Sequence, residues 1–147
     1  MRDAIGGVVN LVIIVVFLLI VSGYLAFNVN YTKAFRVKNK IITTFEQYSG
    51  NCNGPVGNNA CQNIIVQYMQ RLGYDQNNGI EKTPPPNSKC QYGYCYEEVV
   101  VKNNEITKVY YRITTQITID IPIIKNIMSQ NNVFRITGDT KTFQKPS

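Results

Sequence analysis

The hydrophobic pattern divides the chain into three unequal stretches. From Ile5 to Phe27 (IGGVVNLVIIVVFLLIVSGYLAF) there is no charge, and Asn10 and Ser22 are the strongly polar interruptions. Roughly 20 apolar residues in a helix cover the ~30 Å hydrocarbon core of a bilayer, where backbone groups must be satisfied internally. A helix packed into a water-soluble core usually keeps one polar face. Here Val8 to Val21 is apolar all round except at Asn10, so the stretch is predicted to span a membrane. Two readings of Asn10 stand: an amide tolerated near the headgroups, or an interhelical hydrogen bond worth ~1 kcal/mol.

The second stretch keeps a helical period in more polar sequence. Phe27, Tyr31, Ala34, Phe35, Ile41, Ile42, Phe45 and Tyr48 recur at steps near three and four, and no Pro or Gly interrupts Tyr24 to Ser49. One continuous helix from about Ile5 to about Tyr48 is predicted, capped at Ser49-Gly50. A separate short helix after a bend is the alternative. On the continuous helix Lys33, Arg36 and Lys40 lie along one side, while Phe35, Ile42 and Phe45 form another that must pack against something.

The third stretch mixes periods. SGNCNGPVGNNAC reads as a loop, and Asn58 or Asn59 can cap a helix over Ala60 to Leu72 with Ile64, Ile65, Tyr68, Met69 and Leu72 as its stripe and Gly73 closing it. Residues 74–89, with three consecutive prolines, read as a surface loop. Tyr94 to Lys102 is predicted as a strand, with a turn at Asn103-Asn104. Ile106 to Ile121 then alternates, with Val109, Tyr111, Ile113, Ile117, Ile119 and Ile121 on a buried face. Lys108, Arg112, Thr114, Gln116, Thr118 and Asp120 take the opposite face, expected to be wet. Pro122 stops that strand, IIKNIM makes a short helical turn, and Val133 to Phe143 is a last strand, giving a three-stranded antiparallel meander.

The fold class is therefore α+β: a long N-terminal transmembrane and amphipathic helix, a second short helix, and a small antiparallel sheet at the C-terminus. The expected organisation is a cytoplasmic head over residues 1–4, a transmembrane helix over 5–27, its continuation over 28–49, and an extracytoplasmic α+β domain over 50–147. A cleaved signal peptide ending near Val21-Ser22-Gly23 is the competing reading of the amino terminus, but the apolar run exceeds the ~7–15 residues of a signal-peptide core.

Composition narrows the chemistry. With no His, the commonest acid–base side chain and zinc nitrogen ligand are missing from the 147 residues. The net charge of +6 is scattered except for Lys33, Arg36, Lys38 and Lys40 just past the span, a cluster suited to lipid headgroups or an anionic polymer and not to nucleic acid. No metal, cofactor or catalytic residue is assigned. Asp120 with Glu97 or Glu98 is the one carboxylate pairing considered, and solvated strand carboxylates are the ordinary reading of it.

The four cysteines, Cys52, Cys61, Cys90 and Cys95, admit three pairings. Cys52 with Cys61 and Cys90 with Cys95 is favoured because each pair is close in sequence and flanked by Gly or Asn, with a crossed arrangement as the alternative. Disulfides imply an oxidising compartment. The basic cluster after the span, weighed against Arg2, argues for the opposite orientation. The cysteines decide the expectation: a single-pass membrane protein with its C-terminal domain outside the cytoplasm.

The layout resembles that of pilin-like proteins, and more narrowly the TadE/TadG-like minor pseudopilins of tight-adherence pili. The resemblance rests on the head ending in Gly6-Gly7, the span VVNLVIIVVFLLIVSGYLAF, the following YTKAFRVKNKIITTFEQYSG, and the passage from IDIPIIKNIM to FRITGDTKTF. Where that family commonly carries a Glu shortly after the Gly, this chain has Asn10. The resemblance implies a structural component of a surface pilus or secretion apparatus. Its helix would pack in lipid against other pilin-like subunits or copies of itself, with Asn10 as a contact. The alternative is a membrane-anchored extracellular module that recognises a polymer or protein through exposed aromatics, with Tyr92, Tyr94, Tyr96 and Tyr110 as candidates.

Overall fold

The computed structural model describes residues 2–77, 79–103, 106–118 and 133–144. Its first element, α1, runs unbroken from Arg2 to Gln47. At about 1.5 Å per residue its 46 residues make a rod roughly 69 Å long. Beyond the apolar stretch, Ala34, Val37, Ile41 and Phe45 follow at steps of three and four and are almost completely buried. The helix stops at Ser49 and Gly50, both at positive φ (49° and 79°), with the Gly50 N–H bonded to the Phe45 carbonyl at 2.8 Å. Glycine is required there twice over, because a Cβ at Gly50 would lie 2.2 Å from the Tyr111 ring.

The second helix, α2, spans Ala60–Arg71. The Asn59 side chain accepts from the Gln62 N–H at its start. At its end the Tyr74 N–H bonds back to the Met69 carbonyl at 3.0 Å. Cys61, Gln62, Ile65, Val66 and Met69 are its buried residues, and all but Gln62 join the α1 residues in one hydrophobic core.

The sheet is antiparallel, in the order β1 (Lys89–Gln91), β2 (Tyr94–Asn103), β3 (Ile106–Thr118), β4 (Val133–Asp139). A fifth strand, β5 (Phe143–Gln144), pairs with Lys108 and Val109 of β3. Between β4 and β5, Thr140 keeps the chain on that edge: its N–H bonds to the Tyr111 carbonyl, and its hydroxyl accepts from the Tyr111 N–H, both at 2.9 Å. The α+β class is thus present, but with five strands among the described residues where three were expected. The added β1 forms a hairpin with β2 through Tyr92 and Gly93, both at positive φ (52° and 83°), as a two-residue hairpin turn that follows strand twist requires.

Two further expectations are corrected. The face of β3 carrying Thr114 and Gln116 is not wet: both residues are buried. The segment after α2 is the expected surface loop, and part of it reaches this outer face: Pro85 to Ser88 stand beside Glu97, Arg112 and Thr114, while Tyr74 joins the core and Ile80 is buried. The Tyr74 hydroxyl sits 3.0 Å from the carbonyls of Gly93 and Gln116 and accepts from the Gln116 N–H, and Arg135 of β4 donates to the Thr83 carbonyl at 2.6 Å. The sheet is therefore covered by helices on one side and in part by this proline-bearing segment on the other. The second correction concerns Phe35, which is exposed, while Lys38 is buried in the packed side of α1. The Lys38 ammonium lies 4.4 Å from the Phe35 ring centroid, so its aliphatic stem covers the core and its charge emerges over an aromatic face. The turn IIKNIM and Asp120 fall outside the described residues.

Candidate functional site

From Val8 to Ile20 the apolar half of α1 packs against no other described element. Its window of mean hydropathy 2.8 is 0% buried, which makes α1 long and apolar enough to cross a membrane. Every large apolar side chain from Val8 to Ile20 is about half exposed or more, with Phe17 at 63% and Ile20 at 65%. That is the exposure of a helix touched only by its own neighbouring turns. Asn10 is exposed on the same rod. The Ser22 hydroxyl donates back to the Leu18 carbonyl, four residues earlier, so that polar group is satisfied within the helix.

Where the rod meets the folded domain, aromatic rings and cations alternate. Phe27, Tyr31 and Phe35 form an i, i+4 ladder with centroid separations of 6.1 and 6.4 Å, ending under Lys38. Phe134 of β4 meets Phe27 edge-on at 5.9 Å, so the sheet touches the helix at the end of the predicted span. Phe134 is the residue the sequence reading missed, because its partner lies far away in sequence. On another side of α1, Leu25, Asn28, Val29, Thr32, Lys33 and Arg36 line a groove of about 370 Å³ with Leu72 of the α2 C-cap.

The cysteines form two bonds, Cys52–Cys61 and Cys90–Cys95, with Cα atoms 5.3 and 4.0 Å apart. The first closes the loop between α1 and α2 and lies wholly in the core; the second staples β1 to β2. With all four thiols bonded, the described residues hold no group of three His, Cys, Asp or Glu side chains able to share a metal ion.

The candidate binding tyrosines do not form an exposed platform. Tyr94 and Tyr96 are buried against Phe45, with centroids 6.5 and 5.5 Å from it, which corrects their assignment as surface aromatics. They share the inward face of β2. Burial pushes the Tyr94 hydroxyl up to about 12 and raises Tyr96 and Tyr111 as well. Tyr92 is half-buried in the hairpin turn and accepts from the Val56 N–H. Tyr110 is half-exposed on the outer face, its hydroxyl 3.3 Å from the Arg112 guanidinium. Glu97 and Glu98 are adjacent on β2 and so point to opposite faces, and their considered partner Asp120 lies outside the described residues.

Comparison with known proteins finds no matching family model, no matching curated protein and no matching solved structure.

Proposed function

We propose that this chain is a single-pass, pilin-like structural subunit of a surface pilus or secretion apparatus, resembling the TadE/TadG-like minor pseudopilins. The observation that carries the reading is the continuity of α1: one helix whose first half is bare and apolar and whose second half is the central strut of a folded domain. An anchored receptor needs only a tether between span and domain, and a flexible linker serves it. A rigid rod transmits position, so packing of the apolar halves fixes how the domains are displayed. In lipid, helix association comes from side-chain packing and interhelical hydrogen bonds, and Asn10 is the exposed amide available for one. The two disulfides support display of the domain in an oxidising compartment.

A photoactivatable residue in place of Leu18, introduced into the full chain in its native membrane, tests the reading. Crosslinks to further copies or to other small apolar-helix subunits are expected. Loss of the chain is expected to shorten or remove surface appendages. Crosslinks to lipid alone, together with unaltered appendages and an unaltered profile of secreted proteins, would reject it in favour of the anchored binding module.

A further inference from the structure

The groove beside α1 combines an apolar floor with two cations at a defined height. Leu25 and Val29 are more than half exposed, and Lys33 and Arg36 stand above them on the same side of the helix. Lys33 and Arg36 are six and nine residues past Phe27, so their Cα atoms lie about 9 and 13 Å along the axis beyond it. Side chains on a helix slope back toward its N-terminus, so both long stems reach down toward Val29 and Leu25. That brings the charges into the headgroup layer, which extends roughly 5–8 Å outside the hydrocarbon core. Leu72 closes the far wall, and a Cβ at Gly73 would stand 3.9 Å from the Lys33 ammonium, beside the C-terminal end of α2. Among the described residues no carboxylate pairs with either cation; the ion pairs are Arg112–Asp139 and Lys141–Glu46.

We infer that this groove is a binding site for one anionic phospholipid, whose phosphate bridges Lys33 and Arg36 and whose acyl chain lies along Val29 and Leu25. The inference rests on the membrane-spanning reading of α1. Charge complementarity and height select the occupant: an apolar chain with a phosphate about one helical turn above the hydrocarbon boundary is the geometry of a lipid and not of a soluble anion. Such a lipid wedges between α1 and the end of α2 and fixes the domain's tilt on the bilayer.

The full chain, reconstituted in nanodiscs of equal phosphatidylglycerol and phosphatidylcholine and then gently extracted, is assayed by native mass spectrometry for retained lipid. A basic side chain near anionic headgroups contributes about a five-fold factor, so phosphatidylglycerol is expected to be enriched more than about five-fold and up to about thirty-fold. Lys33→Gln with Arg36→Gln is expected to abolish the preference, and Lys108→Gln on the sheet to leave it intact. Val29→Trp, which fills the floor without changing charge, is expected to lower it. Equal retention of the two lipids by the unaltered chain, or a preference untouched by the double substitution or by Val29→Trp, overturns the inference. Displacement of the lipid by inorganic phosphate, or a photocrosslinker at Val29 trapping a second chain in place of lipid, overturns it too. A chain that fails to enter the nanodisc fails the spanning reading itself, whereas entry without lipid preference removes only the inference.

Discussion

Gln62 of α2 donates through its Nε2 to the hydroxyl of Tyr94 on β2 at 2.9 Å, and both side chains are fully buried. The same amide group donates to the Cys52 carbonyl, so one side chain joins the second helix, the first disulfide loop and the sheet. A buried polar group left without its partner costs about 1–3 kcal/mol. Gln62→Leu strands the Cys52 carbonyl and removes the closest partner of the Tyr94 hydroxyl. It is expected to destabilise the domain by about 2–4 kcal/mol, read as a lower denaturant midpoint of the full chain in detergent. A loss below about 1 kcal/mol would mean that the network is not a structural junction.

Alkaline stability follows from the same tyrosine. Burial is the main cause that raises the Tyr94 pKa from 10.0 to about 12, and its neighbours Tyr96 and Tyr111 shift in the same direction for the same cause. A raised folded-state pKa gives stability that is fully present below the unfolded value and is lost as pH rises through the folded one. The folded domain is therefore expected to keep its midpoint up to about pH 10 and to lose up to about 1.4 kcal/mol per pH unit per tyrosine above it. Tyr94→Phe should make the decline between pH 10 and 12 shallower, although it lowers the starting stability. A decline of unchanged steepness would assign the alkaline transition to other groups.

The disulfides differ in what they hold. Closing either short loop restricts the unfolded chain by about 2–3 kcal/mol. Cys52 and Cys61 both fill the core at 0% exposure, whereas in the second bond Cys95 is equally buried but Cys90 is half-buried on an edge strand. Replacing both Cys52 and Cys61 by Ala should therefore cost more than replacing both Cys90 and Cys95. Equal losses would show that the fuller burial of the first bond adds nothing to stability.

Gly50 offers a test of the cap that ends the rod. A non-glycine residue at its φ of +79° costs roughly 1–2 kcal/mol, and the new Cβ must also displace the Tyr111 ring. Gly50→Ala is expected to cost more than about 2 kcal/mol in the native background and less beside Tyr111→Leu, with a coupling of at least about 0.5 kcal/mol. Strict additivity would separate the ring from the cap.

The elements were legible in the sequence where one physical signal dominated. The apolar run and the uninterrupted period to Gly50 mark α1, Asn59 marks the start of α2, and alternation marks the buried positions Val109, Ile113 and Ile117. Alternation says which residues share a face but not whether that face is later covered. Nothing local announces that the segment from Thr83 to Ser88 returns beside Thr114 and Arg135. Phe35 and Lys38 exchanged their expected places because a lysine stem packs as hydrocarbon. Tyrosine is ambivalent, so the sequence alone does not place Tyr94 and Tyr96 inside, and only pairing with β3 at Thr115 and Ile113 sets their face inward. The strand β1 is three residues long, too short for any period, and its one local signal is the Tyr92-Gly93 turn.

The magnitude of the span's apolarity sets how much polarity it tolerates. Over Val8 to Phe27 the apolar side chains favour insertion by on the order of 5–9 kcal/mol, while one Lys at the centre of a spanning helix opposes it by about 2.5–3.5. Val16→Lys alone should leave the chain in the membrane, resistant to alkaline carbonate extraction. Adding Val12→Lys brings the opposing cost to about 5–7 kcal/mol, beyond the loss of two valines, and nearly cancels the driving force. A large part of the double variant is then expected in the soluble fraction. A double variant that remains fully membrane-integrated would mean that lipid partitioning alone does not hold the helix in place. A single variant already released would mean that the helix is held in the bilayer far more weakly than its composition implies.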